Sequence, residues 1–180
     1  GVENLDPELR ALIMGAVVRH GDTKTVVPAL LSKYQSTESP ELQSDICSAV
    51  TSTTDKAIIK QLLALVNNTK IVRTQDTIQW FVCLIRNRYG RQLTWQWLQA
   101  NWQWCEDNFG AEKSLDAFPR YAAGTLNNRV LLEEYIKFFT PLRSNISLVR
   151  SIDMGIVDLT ARVDVIERDS AAVFKALKSL

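Results

Sequence analysis

Residues 87–110 read NRYGRQLTWQWLQANWQWCEDNFG and hold four of the five tryptophans of this 180-residue chain. At 100° per residue, Leu93, Trp97, Ala100 and Trp104 fall on one stripe of a helical wheel. Trp95, Leu98, Trp102, Cys105 and Phe109 fall on nearly the opposite stripe, with Gln92, Gln96, Gln99, Gln103 and Glu106 in a polar strip between them. The spacing predicts one helix over 91–108, buried on two sides as a central helix in a stack is. A base-stacking or carbohydrate platform needs its rings on one exposed face with cations interleaved. Here the interleaved residues are glutamines. The tryptophans read as packing.

Outward from this segment the same helical pattern continues. Asp6-Pro7-Glu8 and Ser39-Pro40-Glu41 each combine an N-cap, a proline at the first helical position and an acid in the first turn. Leu9, Leu12, Ile13, Ala16 and Val17 follow helical spacing before His20-Gly21-Asp22 breaks the run. Successive helices are expected at 7–20, 23–35, 40–50, 54–67, 74–88, 91–108, 112–123, 127–139, 147–167 and 169–179. No segment alternates apolar and polar residues long enough to argue for a sheet. The fold class is therefore all-α, expected as helical hairpins with a period of roughly 30–45 residues, stacked as a HEAT-like α-superhelix. No Gly/Ser linker divides the chain, so residues 1–180 are read as a single domain.

Composition limits the function. Lys plus Arg number 21 against 20 Asp plus Glu, a formal net charge of +1, whereas a dedicated nucleic-acid binder carries a basic excess. No apolar run reaches the roughly 18 residues that span a bilayer, so no membrane segment is expected in this chain. The start, GVENLDPELR, resembles neither a secretory signal nor a transit peptide. Cys47, Cys83 and Cys105 are odd in number and set in apolar helical patterns, which reads as free thiols in a reducing, cytoplasmic setting. Two sequons, Asn67-Asn68-Thr69 and Asn145-Ile146-Ser147, point the other way, but such short patterns recur by chance.

Catalytic groups are sparse. His20 is the only histidine, while a zinc site of the H-E-x-x-H kind needs two, one helical turn apart. The cysteines lack C-x-x-C spacing, and the chain has no G-x-S-x-G, P-loop or G-x-G-x-x-G pattern. No catalytic residue, metal ligand or cofactor is expected in the chain. One bias stands out: Lys70, Arg73, Arg86, Arg88 and Arg91 face a single acid, Asp76, across residues 70–91. That segment is either a solvated basic face or a site for a carboxylate or phosphate, which arginine binds bidentately.

The segment LIRNRYGRQLTWQWLQANWQWCEDNFG resembles the L-x-x-N-x-x-G…W-x-F-x-x-x-N-W…F-G pattern in the C-terminal domain of zinc-dependent aminopeptidases of the aminopeptidase N family, with Trp97 where the pattern has Phe. LLEEYIKFFTPL is similar to the family's L-x-E-x-x-x-F-F segment. RSIDMGIVDLTARVDVIERDSAAVFKAL resembles its closing helix pair, and RHGDTKTVVPALLSKYQSTESPELQSDICSAV its earlier hairpins. The resemblance implies a stack of hairpins closing over the catalytic domain of the same polypeptide, where zinc would be held by H-E-x-x-H…E beside a G-x-M-E-N motif. Neither motif occurs here. The implied role is to wall a chamber, admit peptide substrates and contact them away from the scissile bond. Arg86, in the L-x-R-N-x-x-G position, is the implied substrate-binding residue. Arg88 and Arg91 share the segment as further candidates. Two other readings stay open: a free-standing helical-repeat scaffold for a protein partner, and a nucleic-acid binder using residues 70–91, which the near-neutral charge disfavours.

Overall fold

The computed structural model describes residues 1–111 and 114–179. Among them are ten α-helices and no strand, so the chain is all-α. No described helix is long and apolar enough to cross a membrane. The backbone divides into two compact units, Gly1–Ala100 and Asn101–Leu180.

The first unit holds α1 (Pro7–His20), α2 (Thr23–Ser36), α3 (Pro40–Val50), α4 (Lys56–Val66), α5 (Thr77–Arg86) and α6 (Arg91–Ala100). Asp6 and Ser39 cap α1 and α3 as their sequence context predicts, accepting from Glu8 N at 2.9 Å and Leu42 N at 3.3 Å. Asp55 starts α4 by accepting from Ala57 N at 2.7 Å. Each cap satisfies an N–H that the first helical turn leaves unpaired. Helix α3 packs on α1, α2 and α5, and α5 on α4 and α6, so α3 and α5 are central. Their buried residues Ile46, Cys47, Val50, Trp80 and Leu84 join Met14, Val18, Leu62 and Val66 in one core. The expected start of α5 at residue 74 is instead a 3-10 turn, Thr74–Asp76, where Asp76 accepts from Arg73 Nε at 2.6 Å.

On α1 the inward face differs from the expected stripe. Arg10, Met14, Gly15 and Val18 are buried, whereas Leu12 is 64% and Val17 45% exposed, with Leu9 and Ile13 also outward. Arg10 can face inward because Asp45 on α3 pairs with it at 3.3 Å. The outward apolar stripe is the one periodicity detects, and a buried ion pair is invisible to a hydrophobicity pattern.

The second unit holds α7 (Trp102–Phe109), α8 (Ala117–Thr125), α9 (Arg129–Phe139) and α10 (Ile146–Leu177). The expected helix 91–108 is therefore two helices. Asn101 sits between them at φ −114°, ψ 18°, outside the helical region, and asparagine's side chain competes with helical hydrogen bonding. Burial on the two stripes is unequal. Trp95, Leu98, Trp102, Cys105 and Phe109 are all buried, while Leu93, Trp97 and Trp104 are half-buried and Ala100 is exposed. Trp102 meets Phe138 and Phe139 edge-on at centroid distances of 5.8 and 5.4 Å, and Phe109 meets Phe118 at 5.4 Å. These rings are packing, as the sequence implies.

Two further boundaries differ. Of the expected helix 112–123, residues 112 and 113 lie outside the described residues, and α8 begins at Ala117 with Pro119 in its first turn, where a missing N–H costs nothing. The expected helices 147–167 and 169–179 are one, α10, because no glycine or proline follows Gly155 to end it. Asn145 caps α10 by accepting from Ser147 N at 3.1 Å, so the second sequon is occupied as a helix start. Beyond Val163 the helix buries nothing, and Arg129 ties its middle down through Asp164 at 2.7 Å and Glu167 at 2.5 Å.

Candidate functional site

The three arginines singled out by sequence do not form one cluster. Arg86 ends α5 with its side chain exposed and lines a cavity of about 350 Å³ with Ser48, Thr51, Ser52, Cys83 and Asn87. Arg88 points into a different cavity, about 420 Å³, with Lys56, Lys60, Tyr89, Gln92, Leu93 and Gln96. Its guanidinium lies over the Tyr89 ring, 4.7 Å from the centroid, and donates to the Tyr89 hydroxyl at 2.6 Å. Arg91 is half-buried on the first turn of α6 and lines neither cavity. Arg73 is engaged elsewhere, donating to Asp76 at 2.6 Å and Gln43 at 2.7 Å. The basic segment is thus several separate surfaces.

Local architecture explains the R-N-x-x-G run at 86–90. Asn87 Nδ2 donates to the carbonyls of Thr51 and Thr53 at 2.8 and 2.7 Å, and its Oδ1 accepts from Tyr89 N at 2.9 Å. One side chain therefore pins the end of α5 to the end of α3. At Gly90 an added Cβ would lie 3.0 Å from the Leu84 carbonyl and 3.3 Å from Ile59 Cγ2, so the chain turns too closely for a side chain. Asparagine and glycine hold the turn that follows Arg86 at the end of α5.

Sequence reading missed the cavity's cysteine. Cys83 lies one helical turn before Arg86 and Asn87 on the same face of α5, a spacing visible in the sequence; the partner residues on α3 are not. The three thiols differ sharply. Burial pushes the Cys105 thiol up to about 12 and holds Cys47 well above its ordinary value. Cys83 is half-buried and its thiol is lowered to about 7, chiefly through the neighbouring Cys47 thiol. Burial opposes this shift, while the hydroxyls of Thr51 and Ser48 and the charge of Arg86 assist it.

Zinc does not fit these residues. No group of three or more His, Cys, Asp or Glu able to hold a metal ion occurs among the described residues. His20 is exposed at the end of α1, and the Cys47–Cys83 pair has no third ligand beside it. What the arrangement offers is an exposed arginine and a half-buried thiol beside the side chains of Ser48, Thr51 and Ser52.

Residues 1–160 match the model of the ERAP1-like C-terminal domain. The chain is 32% identical over 178 residues to the Aminopeptidase N of Lactococcus lactis subsp. cremoris (strain MG1363), covering 98% of this chain and 21% of that protein. It is 31% identical over 176 residues to the Aminopeptidase N of Lactobacillus helveticus, with the same shares covered. A more distant relative, the Glutamyl aminopeptidase of Rattus norvegicus, is 23% identical over 109 residues, 61% of this chain and 12% of that protein. The chain thus spans about a fifth of the length of the curated relatives it matches. With the family model covering all but the last 20 residues, this chain belongs to the ERAP1-like C-terminal domain family.

Proposed function

We propose that this chain is a noncatalytic C-terminal domain of a longer zinc-dependent aminopeptidase, where it covers the active-site chamber and positions peptides for removal of N-terminal residues. The observation that carries this reading is the alignment of 98% of the chain with about a fifth of proteins named Aminopeptidase N. Among the described residues no group of three or more His, Cys, Asp or Glu is placed to hold a metal ion. On this reading zinc, with the chemistry of activating water and polarising the peptide carbonyl, belongs to an upstream domain of the same polypeptide. The domain's contribution is remote binding, which orients the substrate without touching the scissile bond. Arg86 is the side chain we assign to that contact, because it is exposed at the end of α5 and a guanidinium pairs with carboxylates. Arg88, stacked on Tyr89 among Lys56 and Lys60, is a secondary anion contact. Free thiols at Cys47, Cys83 and Cys105 support a cytoplasmic setting.

The outward stripe of α1 supports membership in a larger body. Stacked helical repeats bury both faces, and a terminal repeat needs a polar outer face. Leu9, Leu12, Ile13 and Val17 supply an apolar one instead. The same stripe is what a free-standing scaffold would offer a protein partner, and activity measurements separate the two readings. The full-length protein is expected to hydrolyse an aminoacyl-p-nitroanilide in a chelator-sensitive manner. The 180-residue chain, purified alone, is expected to show no hydrolysis and no stoichiometric zinc. Chelator-sensitive activity in the isolated chain contradicts the noncatalytic role. Absence of activity in the full-length protein favours the scaffold.

A further inference from the structure

We propose that the cavity between α4, α6 and the turn joining α5 to α6 is a phosphate site, which takes the polyphosphate group of a small molecule. The inference gives a chemical class to the anion contact at Arg88 and stands whether or not the chain serves a peptidase. Lys56 and Lys60 line the cavity from α4, Arg88 and Tyr89 from the turn, and Gln92, Leu93 and Gln96 from α6. Its volume of about 420 Å³ falls in the range that accepts a small organic ligand. Lys56, Lys60 and Arg88 bring three positive charges to a lining that holds no acid. The whole chain has a formal net charge of only +1.

These charges are uncompensated. Arg10, Lys33, Arg73, Arg129, Arg143 and Arg168 each pair with a carboxylate. Among the described residues neither Lys56 nor Lys60 has such a partner. Asp55, the acid beside them in sequence, is spent on capping α4, where it accepts from Ala57 N at 2.7 Å and Ile58 N at 3.4 Å. Like charges one helical turn apart repel, and a bound polyanion turns that repulsion into attraction. The donor set favours phosphate over a single carboxylate, which one guanidinium matches through two parallel hydrogen bonds. Arg88 has already given one terminal nitrogen to the Tyr89 hydroxyl, at 2.6 Å. Lysines act as compact point charges with three donors each, which suits phosphate oxygens that point in several directions. The exposed amides of Gln92 and Gln96 add neutral donors, and Leu93 with the Tyr89 ring supplies apolar wall.

Calorimetric titration of the full-length protein with sodium tripolyphosphate tests this in about 0.15 M salt, where exposed charges are screened beyond about 8 Å. Tripolyphosphate is expected to bind more tightly than pyrophosphate, and pyrophosphate more tightly than inorganic phosphate. Lys60→Gln and Arg88→Gln should each weaken tripolyphosphate about tenfold, as for loss of one charge-assisted contact. Lys70→Gln, at an exposed lysine outside the cavity, should change it by less than about twofold. ATP separates the sources of the group. Tighter binding than tripolyphosphate assigns a nucleotide with its base on Tyr89 and Leu93, and equal binding assigns the phosphate chain alone. Four results overturn the proposal: no binding at this salt, citrate binding as tightly as tripolyphosphate, an equal loss in Lys70→Gln, or a signal that Lys60→Gln and Arg88→Gln leave unchanged. The last is what chelation of a metal elsewhere in the polypeptide would give.

Discussion

Trp80→Ala is expected to lower the unfolding free energy by about 3–5 kcal/mol, the cost of deleting a buried aromatic. Trp80 has no exposed surface. It stands edge-on to Tyr34, with ring centroids 5.4 Å apart, and its Nε1 donates to the Tyr34 hydroxyl at 3.3 Å. Truncation leaves a cavity beside α3 and removes the indole donor to that hydroxyl, which keeps its own bond to Asp76 Oδ2 at 3.5 Å. Domains of this size are stable by roughly 5–15 kcal/mol, so the variant should be near its unfolding threshold. Trp80→Phe keeps most of the ring and loses the hydrogen bond, worth about 1 kcal/mol. Trp97→Ala should cost less than half as much as Trp80→Ala, because Trp97 is half-buried against Phe81 at 6.4 Å. Urea midpoints at constant m-value measure all three. Equal costs for Trp80→Ala and Trp97→Ala would show that the second tryptophan stripe is fully enclosed.

Gly155→Ala is expected to destabilise by about 1–3 kcal/mol, although the same change on an exposed helix gains about 1 kcal/mol from propensity. On α10 the added Cβ would sit 2.3 Å from the Tyr135 hydroxyl and 2.9 Å from Ala123 Cβ. The Tyr135 hydroxyl cannot simply swing away, since it donates to the Pro119 carbonyl at 3.1 Å and is buried. Either α10 lifts from α8 or that hydrogen bond breaks, and both outweigh the helical gain. In a Tyr135→Phe background the colliding oxygen is gone, so Gly155→Ala should cost measurably less. A stabilised Gly155→Ala variant would show that α10 stands further from α8 and α9 than described.

Much of the fold was legible because helix starts are local. Asp6-Pro7 and Ser39-Pro40 announce caps that form as read, and ring burial at Trp95 and Trp102 follows from the absence of interleaved cations. The failures share a physical cause. The helix break at Asn101, the inward turn of Arg10 toward Asp45 and the fusion of the last two helices are decided by partners distant in sequence or by a missing breaker. The candidate site was half legible. Arg86 and Cys83 share a face of α5 by spacing alone. Their assembly with Ser48, Thr51 and Ser52 depends on how α3 packs, and Lys56 and Lys60 reach Arg88 only through the α4–α6 contact.

The role proposed for this chain is substrate contact without chemistry. Its most direct test is kcat/KM of the full-length protein and its Arg86→Ala variant on three substrates. These are a peptide with a free C-terminal carboxylate, the same peptide as its C-terminal amide, and an aminoacyl-p-nitroanilide too short to reach this domain. Loss of one charge-assisted carboxylate contact, about 1.5–3 kcal/mol, predicts a fall of roughly tenfold or more for the free acid. The amide and the nitroanilide should stay within about twofold of the parent, because neither makes that contact. Equal losses on acid and amide, or no loss on either, would contradict the assignment of Arg86 to the substrate.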